Sequence, residues 1–356
     1  MSNIKKLLIF IILIIFIYII IKLIKKRMLI LDKIKSNNIA EEFLGFTSQK
    51  SELKTAKSNN SAIGIGDYPI ANANLPLREY CIKASYNTAQ TGNYVNLDMI
   101  TYVLSRGVRF LDFEIVSIDK EPYVAYTSDS EYKNIDSSNK IKFYDVINII
   151  ANNAFMAPSP NPGDPLFVNL RIKTNNTELF QKIAMMIDMN LKPRLYNKQI
   201  TGDTLLSEIL GKIIFIIDKK TSPDYMNYPI CGSTKKCYNL NSYVNMESGG
   251  DNLRIYSYGR ITSQSITPPI VHDDGLTTDI VNYKMVIPDA GFSMKILGIL
   301  RNPNFNTLVS DYGVQIVCYR FYENDTNLMN YEKAFRTNKS AIVPISKMIK
   351  YLEEQK

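Results

Sequence analysis

From residue 76 onward, short apolar runs alternate with stretches whose apolar residues recur at helical spacing. The runs that read as strands are 81–85, 109–115, 123–126, 166–172, 212–217, 253–256, 313–320 and 341–344. Between them, 97–105, 143–155, 177–189 and 204–210 carry the pattern of amphipathic helices. Tandem strand–helix units predict a parallel sheet covered by helices. About eight such strands in ~270 residues fit a (β/α)8 TIM-type barrel. Periodicity alone accommodates a doubly wound open sheet almost as well. No internal repeat is visible.

The first residues have a different character. Leu7 to Ile21 is an unbroken apolar run, and Ile24 extends it past Lys22. A helix of ~20 residues crosses a bilayer, and a flanking lysine can reach the interface. A cleaved signal peptide would need a small-residue cleavage site, and Lys22-Leu23-Ile24-Lys25-Lys26-Arg27 offers none. The expected organisation is a single-pass anchor over 1–27, with residues 4–24 in the lipid bilayer. A tether over 28–75 and a barrel over 76–356 follow it. In the tether, Leu29, Leu31, Ile34, Ile39 and Phe43 share one helical face, while the polar stretch 47–62 reads as flexible. Lys5 and Lys6 precede the span and Lys22, Lys25, Lys26 and Arg27 follow it, which places the large C-terminal part on the cytosolic side.

The net charge of +8 is concentrated in the first 60 residues. It therefore marks a membrane-flanking segment, and no nucleic-acid partner is expected. Asn, Ile and Lys are abundant and Trp is absent, a bias that suits AT-rich coding, as in some protists and large DNA viruses. A host or virion membrane is the location that bias suggests. Cys81 and Cys318 lie in apolar runs, as buried thiols do. Cys231 and Cys237 bracket Gly-Ser-Thr-Lys-Lys, a spacing wrong for a paired zinc knuckle. A small disulfide loop and a pair of free thiols both remain open, and the disulfide would imply an oxidising setting. The sequons at Asn175, Asn324 and Asn338 are expected by chance in an Asn-rich chain.

Several segments share one likeness. Ala84-Ser85-Tyr86-Asn87-Thr88 ends the first strand, and Arg106-Gly107-Val108-Arg109-Phe110-Leu111-Asp112-Phe113-Glu114 forms the second. Glu121-Pro122-Tyr123-Val124-Ala125-Tyr126, Phe143-Tyr144-Asp145-Val146 and Pro165-Leu166-Phe167-Val168-Asn169-Leu170-Arg171 follow. Leu253-Arg254-Ile255-Tyr256 and Asp311-Tyr312-Gly313-Val314-Gln315-Ile316-Val317 lie in the second half. In order and spacing these resemble the catalytic barrel of eukaryotic-type phosphoinositide-specific phospholipase C. The resemblance favours the closed barrel over the open sheet. Neither an EF-hand loop before the barrel nor a C2 module after it is recognisable.

The resemblance implies two catalytic histidines, a calcium ion held by an Asn and several carboxylates, and a pocket for inositol phosphates. Tyr86 and Tyr126 stand at the histidine positions, and the chain's one histidine, His272, lies far from either. A phenol, with a pKa near ~10, is a poor base at neutral pH. Asn87, Asp112 and Glu114 match metal positions, but Arg171 takes the place of a carboxylate. A guanidinium cannot bind calcium. Arg171 is expected to pair with Asp112 or Glu114 in place of the metal; a solvent-facing Arg171 is the alternative. Calcium is therefore expected to be lost, with no other cofactor. Arg254 and Tyr256 could still hold a phosphate and a sugar ring. The expectation is a membrane-anchored, catalytically inactive module that binds a protein or a phosphoinositide headgroup. A phosphodiesterase or lyase working without histidine, and a purely architectural barrel, are the competing readings.

Overall fold

The structure is a computed structural model. It describes residues 13, 15, 17–22, 25, 48–59, 61–226, 237–272, 277–278, 282–288 and 301–355. The chain divides into two units, Met1–Ser48 and Gln49–Lys356. In the first, the described positions from 13 to 25 are helical, and Leu13, Ile15, Ile17, Tyr18, Ile20 and Ile21 expose their apolar side chains. Among the described residues no helix is long and apolar enough to cross a membrane. Most of the expected anchor lies outside the described residues.

The second unit is built on eight parallel strands: β1 (Tyr80–Ser85), β2 (Phe110–Ile118), β3 (Leu166–Lys173), β4 (Ile213–Asp218), β5 (Val244–Ser248), β6 (Arg254–Ser257), β7 (Lys284–Ile287) and β8 (Ile316–Tyr319). They pair in sequence from β1 to β5 and from β6 to β8, and β8 returns to β1. A single parallel bridge between Ser248 and Leu253 links the two ends, so the barrel is nearly closed. Its main helices are α1 (Gln49–Ala56), α2 (Leu97–Ser105), α3 (Phe143–Asn153), α4 (Glu178–Leu191), α5 (Thr326–Thr337) and α6 (Ile345–Glu354). Caps fix where α2 and α5 begin: the Asn96 side chain accepts from the Asp98 N–H, and Asp325 from that of Leu328.

Two expected staves are not staves. Glu121–Val124 runs antiparallel to the far half of β2, and Ile342–Pro344 runs antiparallel to the lower half of β1. β1 and β2 pair directly only at Ala84–Phe110, and the second of these segments fills the gap below. The true fifth and seventh staves do not stand out as apolar runs: Val-Asn-Met-Glu-Ser is broken by polar residues, and Lys-Met-Val-Ile is only four residues long. The folded unit also begins earlier than residue 76. Gln49 starts a helix, Ala56 is fully buried, and Ile65, Tyr68 and Ala73 belong to the core.

Strand alternation sorts the side chains into two cores. Leu111, Phe113, Val168, Leu170, Ile213 and Phe215 point outward under the helices. Tyr80, Ile82, Ala84, Phe110, Phe167, Ile214 and Ile216 fill the barrel. The next inward positions along β2 and β3 are polar: Asp112 and Glu114, then Asn169 and Arg171. The parallel register sets Asp112 beside Asn169 and Glu114 beside Arg171. The apolar filling therefore stops at the carboxyl ends of the strands, and a charged layer begins.

Candidate functional site

Arg171 occupies the middle of this layer. Its Nε donates to Asp112 Oδ1 at 3.0 Å and its Nη2 to Asp112 Oδ2 at 2.8 Å. Nη1 donates to Glu114 Oε2 at 2.9 Å, and Nη2 also reaches Asn87 Oδ1 at 2.5 Å. Asp112 is fully buried, and Glu114 and Arg171 are 3% and 5% exposed. The two-point fork on Asp112 uses the planarity of the guanidinium, which a lysine could not reproduce. Burial alone would lower the pKa of Arg171, but the fields of Asp112 and Glu114 outweigh it and push the pKa well up.

The remaining oxygens are also engaged. Asn169 Nδ2 donates to Asp112 Oδ1 at 2.8 Å and is held in turn by Ser248 Oγ at 3.2 Å. Asn87 sits at φ 42°, in the left-handed region that Asn tolerates, which aims its own N–H at Asp112 Oδ2, 3.0 Å away. Glu114 Oε1 accepts from the Thr127 N–H and pairs with Lys173 Nζ at 2.9 Å. Arg171, expected to pair with Asp112 or Glu114, bonds to both. Asn87, Asp112 and Glu114 already face a guanidinium, so as they stand this donor set does not fit a calcium ion. Among the described residues no group of three or more acidic, His or Cys side chains could hold a metal.

Tyr86 covers the cluster. The Arg171 guanidinium lies 4.9 Å from its ring centroid and that of Arg320 lies 5.7 Å away. The ring is 7% exposed, and burial raises the phenol pKa above its ordinary value despite the pull of Arg171. Tyr126 lies beside the same layer, with its hydroxyl directed at the carbonyls of Gly92 and Asn93 at 3.2 and 3.3 Å. Burial pushes its pKa far up as well. The space left among Asn87, Gln90, Asp112, Glu114 and Tyr126 is about 10 Å³, room for about one water. Neither phenol can be a phenolate at neutral pH in this setting.

Arg254 and Tyr256 lie elsewhere. They line an open basin of about 290 Å³ together with Lys220, Gly249, Gly250 and Arg260. The nearest acid, Asp251, is 4.0 Å from Arg254, and both are well exposed, so that pair holds Arg254 only weakly. Lys219 is engaged by Glu247 at 2.8 Å. His272 is exposed in a loop. Cys237 is disulfide-bonded, Cys81 and Cys318 are free and buried, and Cys231 lies outside the described residues. Sequence reasoning missed Asn169, Lys173 and Arg320. The first two share the inward alternation of Arg171, and Arg320 follows the carboxyl end of β8, where barrel side chains with a role concentrate.

The nearly closed parallel barrel has the fold of a phospholipase-C-like barrel, with a polar cluster at the carboxyl ends of its strands. More particularly, residues 73–220 match the family model described as "Phosphatidylinositol-specific phospholipase C, X domain". Among solved structures, PLC21 of S. officinalis is similar at 15% identity and a TM-score of 0.56, over 78% of this chain and 38% of that one. PLC21 of L. pealei is similar at 14% identity and a TM-score of 0.53, over 77% of this chain and 37% of that one. The chain thus spans little more than a third of either, and at these identities the likeness is one of fold. No curated protein matches.

Proposed function

We propose that this chain is a catalytically inactive phospholipase-C-like protein, held to a membrane by its N-terminal segment and used as a binding or structural module. The observation that carries the reading is Arg171, bonded at once to Asp112, Glu114 and Asn87 beneath the Tyr86 ring. On the family resemblance these are the positions of a calcium ion and a catalytic histidine. A fixed, permanently charged donor there supplies a counter-charge but no open coordination position and no proton shuttle. Two phenols with raised pKa values do not replace imidazoles at neutral pH.

The basin around Lys220, Arg254, Tyr256 and Arg260 supports a binding role, because three cations against one exposed acid suit a phosphorylated headgroup. The apolar run at the N-terminus supports attachment to a bilayer, and the composition points to a host or virion membrane. The test is cleavage. The full chain is incubated with vesicles containing phosphatidylinositol or its bisphosphate, with calcium. Release of inositol phosphate should equal that of a protein-free blank, and turnover by the unmodified chain would overturn the reading.

A further inference from the structure

We propose that helix α1 is a strap that locks the barrel mouth shut, and that its undocking is the step that opens it. The helix is polar, Gln-Lys-Ser-Glu-Leu-Lys-Thr-Ala, and buries little apolar surface beyond Leu53 and Ala56. What docks it at this end is Glu52, a carboxylate only 8% exposed. Glu52 Oε2 accepts from the Asn93 N–H at 2.7 Å, the Tyr94 N–H at 3.3 Å and Thr91 Oγ1 at 3.4 Å. Oε1 accepts from Asn93 Nδ2 at 2.6 Å. Gln49 adds a bond to the Val95 carbonyl at 3.2 Å. The loop comes so close that a Cβ on Gly92, whose φ is +133°, would lie 2.9 Å from Glu52 Oε2.

That loop supports the mouth. Gly92 and Asn93, the residues gathered around Glu52, are also the ones whose carbonyls receive the Tyr126 hydroxyl. The loop begins at Tyr86 and Asn87, which cover and contact Arg171. The other end of the strap reaches the segment after β8. Asn324 Nδ2 donates to the Thr55 carbonyl at 2.7 Å and to Ser58 Oγ at 3.0 Å, a few residues beyond Arg320, whose guanidinium faces Tyr86. One short helix therefore ties together the loops after two adjacent strands, β1 and β8, and both carry groups that fill the mouth. A mostly polar contact of this kind separates at low cost, so the strap sits at the low-stability end of the unit. It is the first element of the barrel unit. This stands whether or not the mouth turns over a substrate.

The test is hydrogen exchange on the full chain carrying Glu52→Ala, with Lys54→Ala, on the exposed face of α1, as the control. Exchange over 88–96 and 122–127 should quicken at least tenfold, while β3 and β4 keep their protection. Labelling of a thiol introduced by Ala125→Cys, at a position now 2% exposed, should speed up in the same variant. Asn93→Ala, which removes a donor and leaves the helix intact, should give the same pattern and serves if Glu52→Ala does not fold. Exchange unchanged in those two segments, or raised equally in the barrel strands, would overturn the proposal.

Discussion

Replacing Arg171 with Met should lower the unfolding free energy of the barrel by about 3–5 kcal/mol, the range for removing one partner of a buried ion pair. The effect is large because the arginine neutralises two carboxylates at once. Asp112 is fully buried and Glu114 is 3% exposed, so neither can turn to water when the guanidinium goes. Asp112 would keep Asn169 and the Asn87 N–H, and Glu114 would keep Lys173 and the Thr127 N–H. These residual donors place Glu114 in the better position, so most of the loss falls on Asp112. Adding Asp112→Asn to Arg171→Met should therefore recover part of it, giving a double variant less destabilised than the sum of the singles. Denaturant unfolding of the four proteins measures this. Strict additivity would mean that the pair is not coupled as its geometry requires.

Glu332→Ala should cost a similar amount, about 3–5 kcal/mol, for the converse reason. Glu332, on α5, accepts from Arg106 Nε and Nη2, each at 2.8 Å, and lies 3.4 Å from Lys83 Nζ on β1. Lys83 is 1% exposed and Arg106 5%. Without the glutamate, two buried cations share one site. Burial already lowers the Lys83 pKa from 10.5 to about 8, with Glu332 opposing the fall. Between pH 8 and 10.5 the unfolded chain therefore holds a proton on this lysine that the folded chain has released. Stability owed to Lys83 must rise with pH across that window. Unfolding at pH 7, 8 and 9 should show the native chain gaining on Lys83→Met, a variant without that titration. Parallel curves would exclude the shift.

The parts of the fold legible in the sequence are those where local pattern and tertiary role agree. Helix 97–105 is found at its expected limits because its apolar face repeats at the helical period and Asn96 caps it. β2 and β3 are long and buried on both sides, with an unbroken set of apolar residues on the outward face. β5 and β7 escape notice because barrel closure gives them their role, through pairing with neighbours that no local pattern encodes. Ile342–Pro344 looks like a stave for the opposite reason: its residues are buried and β-branched, but it pairs antiparallel in a gap at the foot of the barrel. The strap is illegible as structure because most of what docks it is polar, the Glu52 carboxylate above all, and a polar helix of eight residues reads as linker.

The site was legible where chemistry is written in residue type. An arginine two residues after Asn169 on an inward-facing strand, opposite Glu114, cannot avoid the carboxylates in a parallel register. The position of Arg320 at a strand's carboxyl end was legible, but its partner Tyr86 was not, since that contact depends on β8 returning to β1.

The central claim is that the Arg171 guanidinium stands where the resemblance puts a divalent cation. Calorimetric titration of calcium into the full chain tests it most directly. The expected result is no stoichiometric binding, with heats equal to dilution. A tight site of one calcium per chain, abolished by Asn87→Ala, would contradict it.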